Sequence, residues 1–293
     1  MMIGLVGLGR MGAAIAQRLK ERGFEVLAYD RSAAAMERQR QRGFAVAPSP
    51  RAVAQAADIV ISIITEDKGV RAVFTGPDGF LSGDVTGKLF IEMSTLRPAT
   101  HRELAPLVKA RGAAMVDAPV MGSIPTVREG KLLALLGGEA QDVARAREVL
   151  EHLTRRIEHL GPNGAGCAMK LCVNLGMAVY MQSLAEALSL GTSEGLLRDT
   201  ILDILGESPI ISPFFQSKVP VLKGQPADVT LDVRTLRKDV MSAVSMGAGN
   251  GVSLPAASGA LASLSAAVAM GYGEKDLAEA AVFFCEHMPQ KFD

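Results

Sequence analysis

The chain has 293 residues, of which 48% are hydrophobic, so it can form a full core and is longer than one small domain usually is. Lysine plus arginine and aspartate plus glutamate both number 31, so no net charge attracts the chain to nucleic acid or to an anionic membrane. These features argue against nucleic-acid and membrane partners and favour a small-molecule partner.

The first half of the chain alternates short β-branched runs with longer amphipathic ones, up to Gly161. This alternation is typical of strands followed by crossover helices, and it predicts a parallel sheet covered on both faces. The predicted strands are residues 3–6, 25–29, 59–64, 89–93, 114–116 and 132–136. The predicted helices are residues 11–22, 33–42, 50–56 and 100–110.

The second half has a different pattern. Residues 168–191, 196–205, 236–248 and 254–270 carry helical periodicity, with almost no strand-like runs, so an all-α domain is predicted. Between the halves, the stretch Gly161-Pro162-Asn163-Gly164-Ala165-Gly166 is rich in turn formers and cannot continue regular structure. We therefore expect a dinucleotide-binding α/β domain over residues 1–162 and an all-α domain over residues 163–293.

A glycine-rich stretch, Gly7-Leu8-Gly9-Arg10-Met11-Gly12, directly follows the first predicted strand and opens the first predicted helix. In a dinucleotide-binding turn of this spacing, the first glycine permits a sharp turn, the second lets the backbone approach a pyrophosphate and the third lets helix and strand pack closely. The helix N-terminus then faces the phosphates with its N–H groups and the positive end of its dipole. The alternative is a glycine-rich turn of an ordinary α/β protein.

Asp30 ends the second predicted strand, roughly 20 residues past the glycine turn, where an acid can hydrogen-bond a ribose diol. Its alternative role is to cap the helix that is predicted to begin at Ala33. The next residues, Arg31 and Ser32, could instead hold the 2′-phosphate of NADP. Because a carboxylate disfavours a neighbouring phosphate, we expect a nicotinamide cofactor, NAD or NADP, with a preference for NAD.

Lys170 and Asn174 are the candidate catalytic residues. They lie four residues apart on a predicted helix and therefore share one face, and the other residues from 165 to 179 are apolar. A polar pair in such a helix indicates a functional site rather than a solvated face. An ammonium group at position 170 can protonate a developing alkoxide, and the free amine can accept the proton in the oxidative direction.

Cys167, Cys172 and Cys285 form neither a C-x-x-C pair nor a metal-ligand spacing with the four histidines, so we expect reduced thiols and no metal. The N-terminal sequence MMIGLVGLG lacks a cationic leader and predicts a buried strand rather than a signal peptide. No stretch reaches roughly 18 uncharged apolar residues, so no membrane span is predicted and a cytoplasmic location is expected.

Taken together, these features resemble the β-hydroxyacid dehydrogenase family over nearly the whole length of the chain. Four motifs carry the resemblance: Val6-Gly7-Leu8-Gly9-Arg10-Met11-Gly12, Asp117-Ala118-Pro119-Val120, Gly164-Ala165-Gly166 with Lys170 and Asn174, and Lys238-Asp239. The resemblance implies a Rossmann domain joined by a long helix to an all-α domain that also mediates homodimer or homotetramer formation. It also implies an active site in the cleft between the domains.

By this likeness Lys170 is the general acid/base, Asn174 orients the substrate and Lys238 closes over the nicotinamide end. The resemblance further implies that Ser94 and Thr95 lie beside the nicotinamide or its ribose, and that Ile64 and Thr65 line its path. For Ser94 and Thr95 the alternative is an N-cap of the following helix.

The chain departs from the family at one motif. Where the family usually has Pro-Val-Ser-Gly-Gly, this sequence has Pro119-Val120-Met121-Gly122-Ser123, so a hydroxyl that would help to hold the substrate carboxylate is missing. Gly122 and Ser123 could still offer backbone N–H groups and one hydroxyl to an anion. Met121 makes this side of the pocket more apolar and flexible, which favours a substrate that is larger or less polar than 3-hydroxyisobutyrate, or one that is not an acid at all.

The expected function is hydride transfer between NAD(P) and a small β-hydroxyacid or the corresponding aldehyde acid. One alternative is an imine reductase of related architecture; such enzymes typically replace the lysine at position 170, so its presence argues against this reading. A second alternative is a catalytically silent cofactor-binding protein that serves interaction, which the intact Lys170 and Asn174 disfavour.

Overall fold

The computed structural model describes residues 1–209 and 212–287, and the chain divides into two compact units, Met1–Lys170 and Leu171–Asp293. This division falls within one long helix. The predicted boundary, between residues 162 and 163, lies just before the start of that helix.

The first unit contains the elements that the alternating pattern predicts, and further ones. Its strands are Met2–Val6 (β1), Glu25–Tyr29 (β2), Ala45–Val46 (β3), Ile59–Ser62 (β4), Leu89–Glu92 (β5), Ala114–Asp117 (β6), Val120–Met121 (β7), Leu132–Leu136 (β8) and Thr154–His159 (β9). Its helices are Arg10–Glu21 (α1), Ala33–Gln41 (α2), Pro50–Ala56 (α3), Asp67–Thr75 (α4), Pro98–Ala110 (α5), Ile124–Glu129 (α6) and Ala140–Leu150 (α7).

A parallel sheet with the strand order β3-β2-β1-β4-β5-β6 organises this unit. The central strands β4 and β5 are buried at every residue, which explains their continuous apolar sequences and the covering of both faces. Helix α1 contributes Ile15 and Leu19 to the core, and α3 begins at Pro50 because Ser49 caps its first turn. The strand order reverses next to β1, and ligands bind at the carboxyl ends of strands at such a switch point.

One predicted strand lies in a different sheet from the one expected. Residues 132–136 form β8, which pairs with β7 and β9 in a second sheet of order β7-β8-β9 rather than with the large parallel sheet. The partners of β8 were not predicted, because β7 has only two residues and β9 is rich in charged side chains. The pairing is antiparallel with β7 and parallel with β9.

The second unit is helical, as predicted. Its helices are Ala165–Ser193 (α8), which begins in the first unit, Arg198–Glu207 (α9), Pro213–Leu222 (α10), Val233–Gly249 (α11), Pro255–Ala267 (α12) and Glu279–His287 (α13). The predictions missed α10, which contains Pro220, and α13. The helix predicted over residues 254–270 ends at Ala267 and continues as a π-helical turn in which Gly271 has a φ of 91°.

Within the described residues, α8 is the one helix with the length and hydropathy of a membrane span, at 29 residues and a mean hydropathy of 1.2. Core helices of globular proteins have the same properties, and α8 contributes Leu184 and Leu188 to the core of the second unit. This core also contains Phe215 of α10 and Leu236 of α11.

Candidate functional site

Two of the three glycines in the turn between β1 and α1 are required by close contacts within the protein. Gly7 has a φ of 98°, and a Cβ there would lie 2.1 Å from the carbonyl oxygen of Ile63. A Cβ on Gly12 would lie 1.9 Å from the carbonyl oxygen of Gly7, whereas a Cβ on Gly9 would have no atom within 4 Å. Gly9 precedes α1 and has no side chain to hydrogen-bond the amides of the first turn. The turn is therefore an open cradle of the kind that fits a phosphate.

We expect alanine substitutions at Gly9 and Gly12 to separate binding from folding. Alanine at position 12 must displace the backbone of Gly7 and should lower the free energy of unfolding by about 1–3 kcal/mol. Alanine at position 9 meets no protein atom, so stability should stay unchanged while the Kd of a dinucleotide rises roughly tenfold. Thermal unfolding and a fluorescence titration with NADH and NADPH test both variants. Equal losses of stability would contradict this assignment.

Asp30 connects the end of β2 to the glycine turn. Its carboxylate accepts the N–H of Leu8 at 2.7 Å and the N–H of Ser32 at 2.8 Å. The cap of α2 is Ser32, whose hydroxyl accepts the N–H of Ala35, so the alternative role of Asp30 as this cap is wrong. Arg31 and Ser32 are exposed beside the half-buried carboxylate, and both remain able to contact a bound ribose or phosphate.

Three buried polar residues lie in register across the carboxyl ends of the central strands. Ser62 ends β4, Glu92 ends β5 and Asp117 ends β6, and the pairing places Ser62 opposite Glu92 and Glu92 opposite Asp117. All three are 0% exposed. Buried polar groups in a hydrophobic sheet are costly unless hydrogen bonds satisfy them, so this row indicates a functional edge rather than a packing region.

Glu92 is the centre of this row. One carboxyl oxygen accepts the hydroxyl of Ser62, and the other accepts both the hydroxyl and the N–H of Ser94. Burial raises the pKa of Glu92 to about 7, although the hydrogen bonds from Ser62 and Ser94 favour the charged form. The negative charge of nearby Asp117 adds to the rise.

This pKa predicts a pH-dependent stability. A carboxyl that titrates near 4.5 when unfolded and about 7 when folded stabilises the fold fully below pH 4.5, and this stability is lost as the pH rises through 7. The shift corresponds to about 3 kcal/mol. We expect Glu92→Gln to lose less stability than the wild type between pH 5 and pH 8, measured by urea unfolding. Parallel pH profiles of the two proteins would contradict this expectation.

The loops after β4 and β5 are hydrogen-bonded to each other. The N–H of Ile64 donates to the hydroxyl oxygen of Ser94 at 2.6 Å. Ser94 is buried, Thr95 and Ile64 are half-buried and Thr65 is exposed. Helix α5 begins at Pro98 with Arg97 as its N-cap, so the alternative role of Ser94 and Thr95 as N-cap is wrong.

Asp117 fixes the start of α8, the helix that carries Lys170. Its carboxylate accepts the N–H of Gly164 at 2.6 Å and the N–H of Cys167 at 3.0 Å. Burial raises the pKa of Asp117, while these backbone hydrogen bonds oppose the rise. A Cβ on Gly166 would lie 2.1 Å from the carbonyl oxygen of Leu135, so this glycine lets the helix approach β8 closely. Half-buried Lys170 therefore follows a rigidly held first turn.

A buried cysteine and histidine also contact this turn. The thiol of Cys167 donates to the carbonyl oxygen of Ser94 at 3.3 Å and lies 3.1 Å from Nε2 of His101. Ligand atoms of His101, Asp117 and Cys167 lie within 4.8 Å of one another, and such side chains can bind zinc. The contact of Cys167 with His101 and the hydrogen bond from the Cys167 N–H to Asp117 account for this close approach. Burial lowers the pKa of His101 and favours its neutral form.

The candidate anion-binding residues lie between β7 and α6. Met121 ends β7, Gly122 has a φ of 140°, and Ser123 precedes α6. The N–H of Ser123 donates to the hydroxyl of Thr126 at 3.2 Å, and the two hydroxyl oxygens are also 3.2 Å apart. The Ser123 N–H therefore has a protein partner, and its hydroxyl and the exposed Gly122 backbone are the better candidate donors.

In the second unit, α8 and α11 share a buried polar cluster. Asn174 donates from its side-chain amide to Asp239 at 2.6 Å, and Asp239 forms an ion pair with Lys238 at 2.8 Å. Asn174 and Asp239 are both 2% exposed. The amide oxygen of Asn174 accepts no hydrogen bond from the part of the chain that the structure describes. Such an acceptor in a buried setting is suited to receive a ligand hydroxyl.

Sequence reasoning did not include several of these residues among its site candidates. Ser62 and Glu92 lie inside the predicted strands 59–64 and 89–93, and Asp117 belongs to a family motif for which no role was predicted. The available signal was position: each is a polar residue that closes an otherwise apolar strand, at the edge where parallel strands bind ligands. His101 gave no signal, because its partner Cys167 is distant in sequence. Asp239 belongs to the Lys238-Asp239 motif, but its hydrogen bond with Asn174 was not predictable.

Comparisons with known proteins agree with this architecture. The family described as the NAD binding domain of 6-phosphogluconate dehydrogenase matches residues 2–161. The family described as the NAD-binding domain of NADP-dependent 3-hydroxyisobutyrate dehydrogenase matches residues 164–284. The two matches together cover most of both units.

Individual relatives are also similar. An NAD-dependent L-serine dehydrogenase of Pseudomonas aeruginosa is 35% identical over 206 residues, which are 70% of this chain and 69% of that protein. Glyoxylate/succinic semialdehyde reductase 1 of Arabidopsis thaliana is 29% identical over 94% of this chain and 96% of its own length. The structure of Mycobacterium tuberculosis 3-hydroxyisobutyrate dehydrogenase with L-serine has a TM-score of 0.84 and 28% identity, covering 96% of this chain and 98% of that one. The chain therefore belongs to the β-hydroxyacid dehydrogenase family and is an NAD(P)-dependent oxidoreductase that acts on a small molecule.

Proposed function

We propose that the protein transfers a hydride between a nicotinamide cofactor and a small β-hydroxyacid or the corresponding aldehyde acid, with Lys170 as the general acid/base. The observation that carries this proposal is the polar pair on α8. Lys170 follows the turn that Asp117 holds, and Asn174, one helical turn later, is buried with an amide oxygen that no described residue hydrogen-bonds. Asn174 would orient a different hydrogen-bond donor of the substrate, because the single proton of the reacting hydroxyl must pass to Lys170.

The chain's own residues supply binding, orientation and proton transfer. A bound nicotinamide would supply the hydride-transfer chemistry in either direction. The glycine turn, Gly7-Leu8-Gly9-Arg10-Met11-Gly12, holds the pyrophosphate, while Ile64, Thr65, Ser94 and Thr95 line the nicotinamide end. The N–H of Gly7 already donates to Tyr29 and that of Leu8 to Asp30, so the phosphate contacts come from later residues of the turn. Lys170 gives its proton to the substrate oxygen in reduction and receives it in oxidation.

The substrate class follows from the relatives and from the loop at residues 121–123. The names of the relatives include 3-hydroxyisobutyrate and L-serine, which are both 3-hydroxy acids. We propose that the hydroxyl of Ser123 and the backbone of Gly122 hold the substrate carboxylate. Met121 gives this side of the site an apolar surface that suits an aliphatic substituent.

The test is a substrate panel followed by the absorbance of the reduced nicotinamide. The purified protein is mixed with NAD or NADP and 3-hydroxyisobutyrate or L-serine, and with NADH or NADPH and glyoxylate or succinic semialdehyde. We expect turnover of at least one carboxylate substrate and none of cyclic imines. Turnover of imines alone would support the imine reductase alternative, and cofactor binding without any turnover would support a silent binding protein.

We propose that NAD is the preferred cofactor, because the carboxylate of Asp30 lies where the ribose 2′-hydroxyl binds in this fold. Asp30→Asn keeps an oxygen that can accept the Leu8 N–H and removes the charge. We expect the ratio of kcat/KM for NADP over NAD to rise about tenfold in this variant. The ratio cancels any general loss of activity, and an unchanged ratio would contradict the assignment.

We also propose that the protein forms a homodimer or homotetramer through its helical unit. This unit leaves several large apolar side chains exposed, including Leu190 of α8, Leu197 just before α9 and Ile204 of α9. Exposed apolar surface of this kind is frequent at interfaces. Light scattering after size-exclusion chromatography should give a mass of two or four chains, and a monomer would contradict the proposal.

A further inference from the structure

Glu92 is a buried acid that the proposed reaction does not use. It is 0% exposed, and its carboxyl receives the hydroxyl of Ser62 and the hydroxyl and N–H of Ser94. No carboxyl oxygen reaches the surface of the protein, so Glu92 cannot contact a substrate directly. Its effect must pass through the residues to which it is hydrogen-bonded.

Ser94 is the residue that connects Glu92 to the neighbouring loop. Its hydroxyl donates to Glu92, and the same oxygen accepts the N–H of Ile64 at 2.6 Å. A hydroxyl has one proton and two lone pairs, so donation to Glu92 fixes the direction in which the oxygen can accept. The carboxyl of Glu92 therefore holds the loop after β4 and the loop after β5 in one relative position.

Ser62 provides an internal comparison. It donates to the same carboxyl as Ser94 and is equally buried, but no hydrogen bond connects its hydroxyl to Ile64. If the polar row served stability alone, loss of either hydroxyl would have similar consequences. If Glu92 acts on the cofactor loops, loss of the Ser94 hydroxyl matters much more for binding.

We propose that Glu92 is a positioning residue for the nicotinamide cofactor, which it serves by orienting the Ser94 hydroxyl and so joining residues 63–65 to residues 94–95. This inference rests on the proposed function, in which Ile64, Thr65, Ser94 and Thr95 line the nicotinamide end. Glu92 itself contacts neither the cofactor nor the reacting atoms. Its contribution is the alignment of the two loops before the cofactor binds.

The experiment measures the Kd of NADH and NADPH by fluorescence titration of the full chain, without substrate. Glu92→Met keeps a side chain of similar length and removes both acceptors, and we expect Kd to rise about tenfold. Ser94→Ala should cause a similar rise, and Ser62→Ala should change Kd by less than about threefold. The double variant of Glu92→Met and Ser94→Ala should bind NADH and NADPH no more weakly than Ser94→Ala does. Both changes remove the same hydrogen bond between Glu92 and Ser94.

Further variants separate positioning from a general loss of stability. Thr154→Val removes a buried hydroxyl that bonds to Leu150 elsewhere in the first unit, and Kd should not change. Glu92→Gln keeps one carbonyl oxygen for Ser94 and should restore Kd to within about threefold of the wild type. Should Glu92→Met fail to fold, Glu92→Asp replaces it: the shorter side chain keeps the charge but cannot reach both serines, and we expect about a fivefold rise.

The outcomes distinguish this inference from the proposed function. A Kd for Glu92→Met within about twofold of the wild type, or additive effects in the double variant, would overturn the positioning role. An unchanged Kd in Ser94→Ala would overturn it as well, together with the proposed place of Ser94 at the cofactor. The assignment of Lys170 as acid/base does not enter this binding measurement and is tested by turnover.

Discussion

Replacing Lys170 with alanine is expected to lower kcat by about a thousandfold while the Kd of the nicotinamide cofactor stays unchanged. The expectation follows from the position of Lys170 on α8, after the turn that Asp117 anchors through two backbone N–H groups. A positioned general acid or base contributes roughly 10²–10⁴ in rate, and the cofactor cradle lies on other elements. Steady-state kinetics measure the expected loss of kcat, and a cofactor titration of the same preparation measures the Kd.

Two further lysine variants sharpen this test. Lys109→Ala removes an exposed lysine that pairs with Glu139 on the surface of the first unit, and kcat should stay unchanged. Lys170→Arg keeps a positive charge that does not dissociate, so the oxidative direction, which needs a neutral base, should be lost as fully as in the alanine variant. A decrease in kcat below about tenfold in Lys170→Ala would contradict an acid/base role.

Replacing Lys218 with methionine is expected to lower the free energy of unfolding by about 4 kcal/mol. Lys218 is 3% exposed and its ammonium contacts both carboxylate oxygens of Asp276, at 2.8 and 2.9 Å, and the hydroxyl of Thr230. Methionine fills a similar volume but leaves the buried carboxylate of Asp276 without its positive partner. An unpaired buried charge is strongly destabilising. Urea unfolding followed by circular dichroism measures the change.

A neighbouring ion pair provides the matched control. Lys223 follows the same helix, α10, and pairs at 2.6 Å with Asp203, whose side chain is 66% exposed. Solvent screens such a pair, so Lys223→Met should change stability far less than Lys218→Met does. Similar effects of the two substitutions would contradict the importance of burial.

The pH dependence of the Lys218 variant follows from Asp276. Burial alone would raise the pKa of Asp276, but hydrogen bonds from Lys218, Thr230 and Ala278 and the charge of Lys218 bring it below its ordinary value. In the wild type this group stabilises the fold above about pH 4 and loses its effect as the pH falls through the lower, folded-state pKa. The deficit of Lys218→Met should therefore be larger at pH 7 than at pH 3, and an equal deficit would contradict the assignment.

Features that depend on neighbouring residues were predicted from the sequence, whereas features that depend on residues distant in sequence were not. The periodicity of the first half predicted six strands and four helices whose ends agree within two residues, because burial on both faces of a parallel sheet requires continuous apolar strands. The partners of β8 were not predictable, because a two-residue strand and a charged strand have no local signal. The helices α4, α6 and α7 were also missed, although α4 and α7 have amphipathic sequences.

The sequence by itself determined the fold class, the dinucleotide turn and the presence of a lysine and an asparagine on one helix face, since each depends on the spacing of neighbouring residues. Only the tertiary structure decided which polar groups are buried and which residues form hydrogen bonds with them. The contacts of Glu92 with Ser62, of Asp117 with Gly164 and of Asn174 with Asp239 join residues 30 to 65 positions apart. Such contacts arise when strands and helices pack, and a buried acid is stable there only because the assembled fold supplies its hydrogen-bond donors.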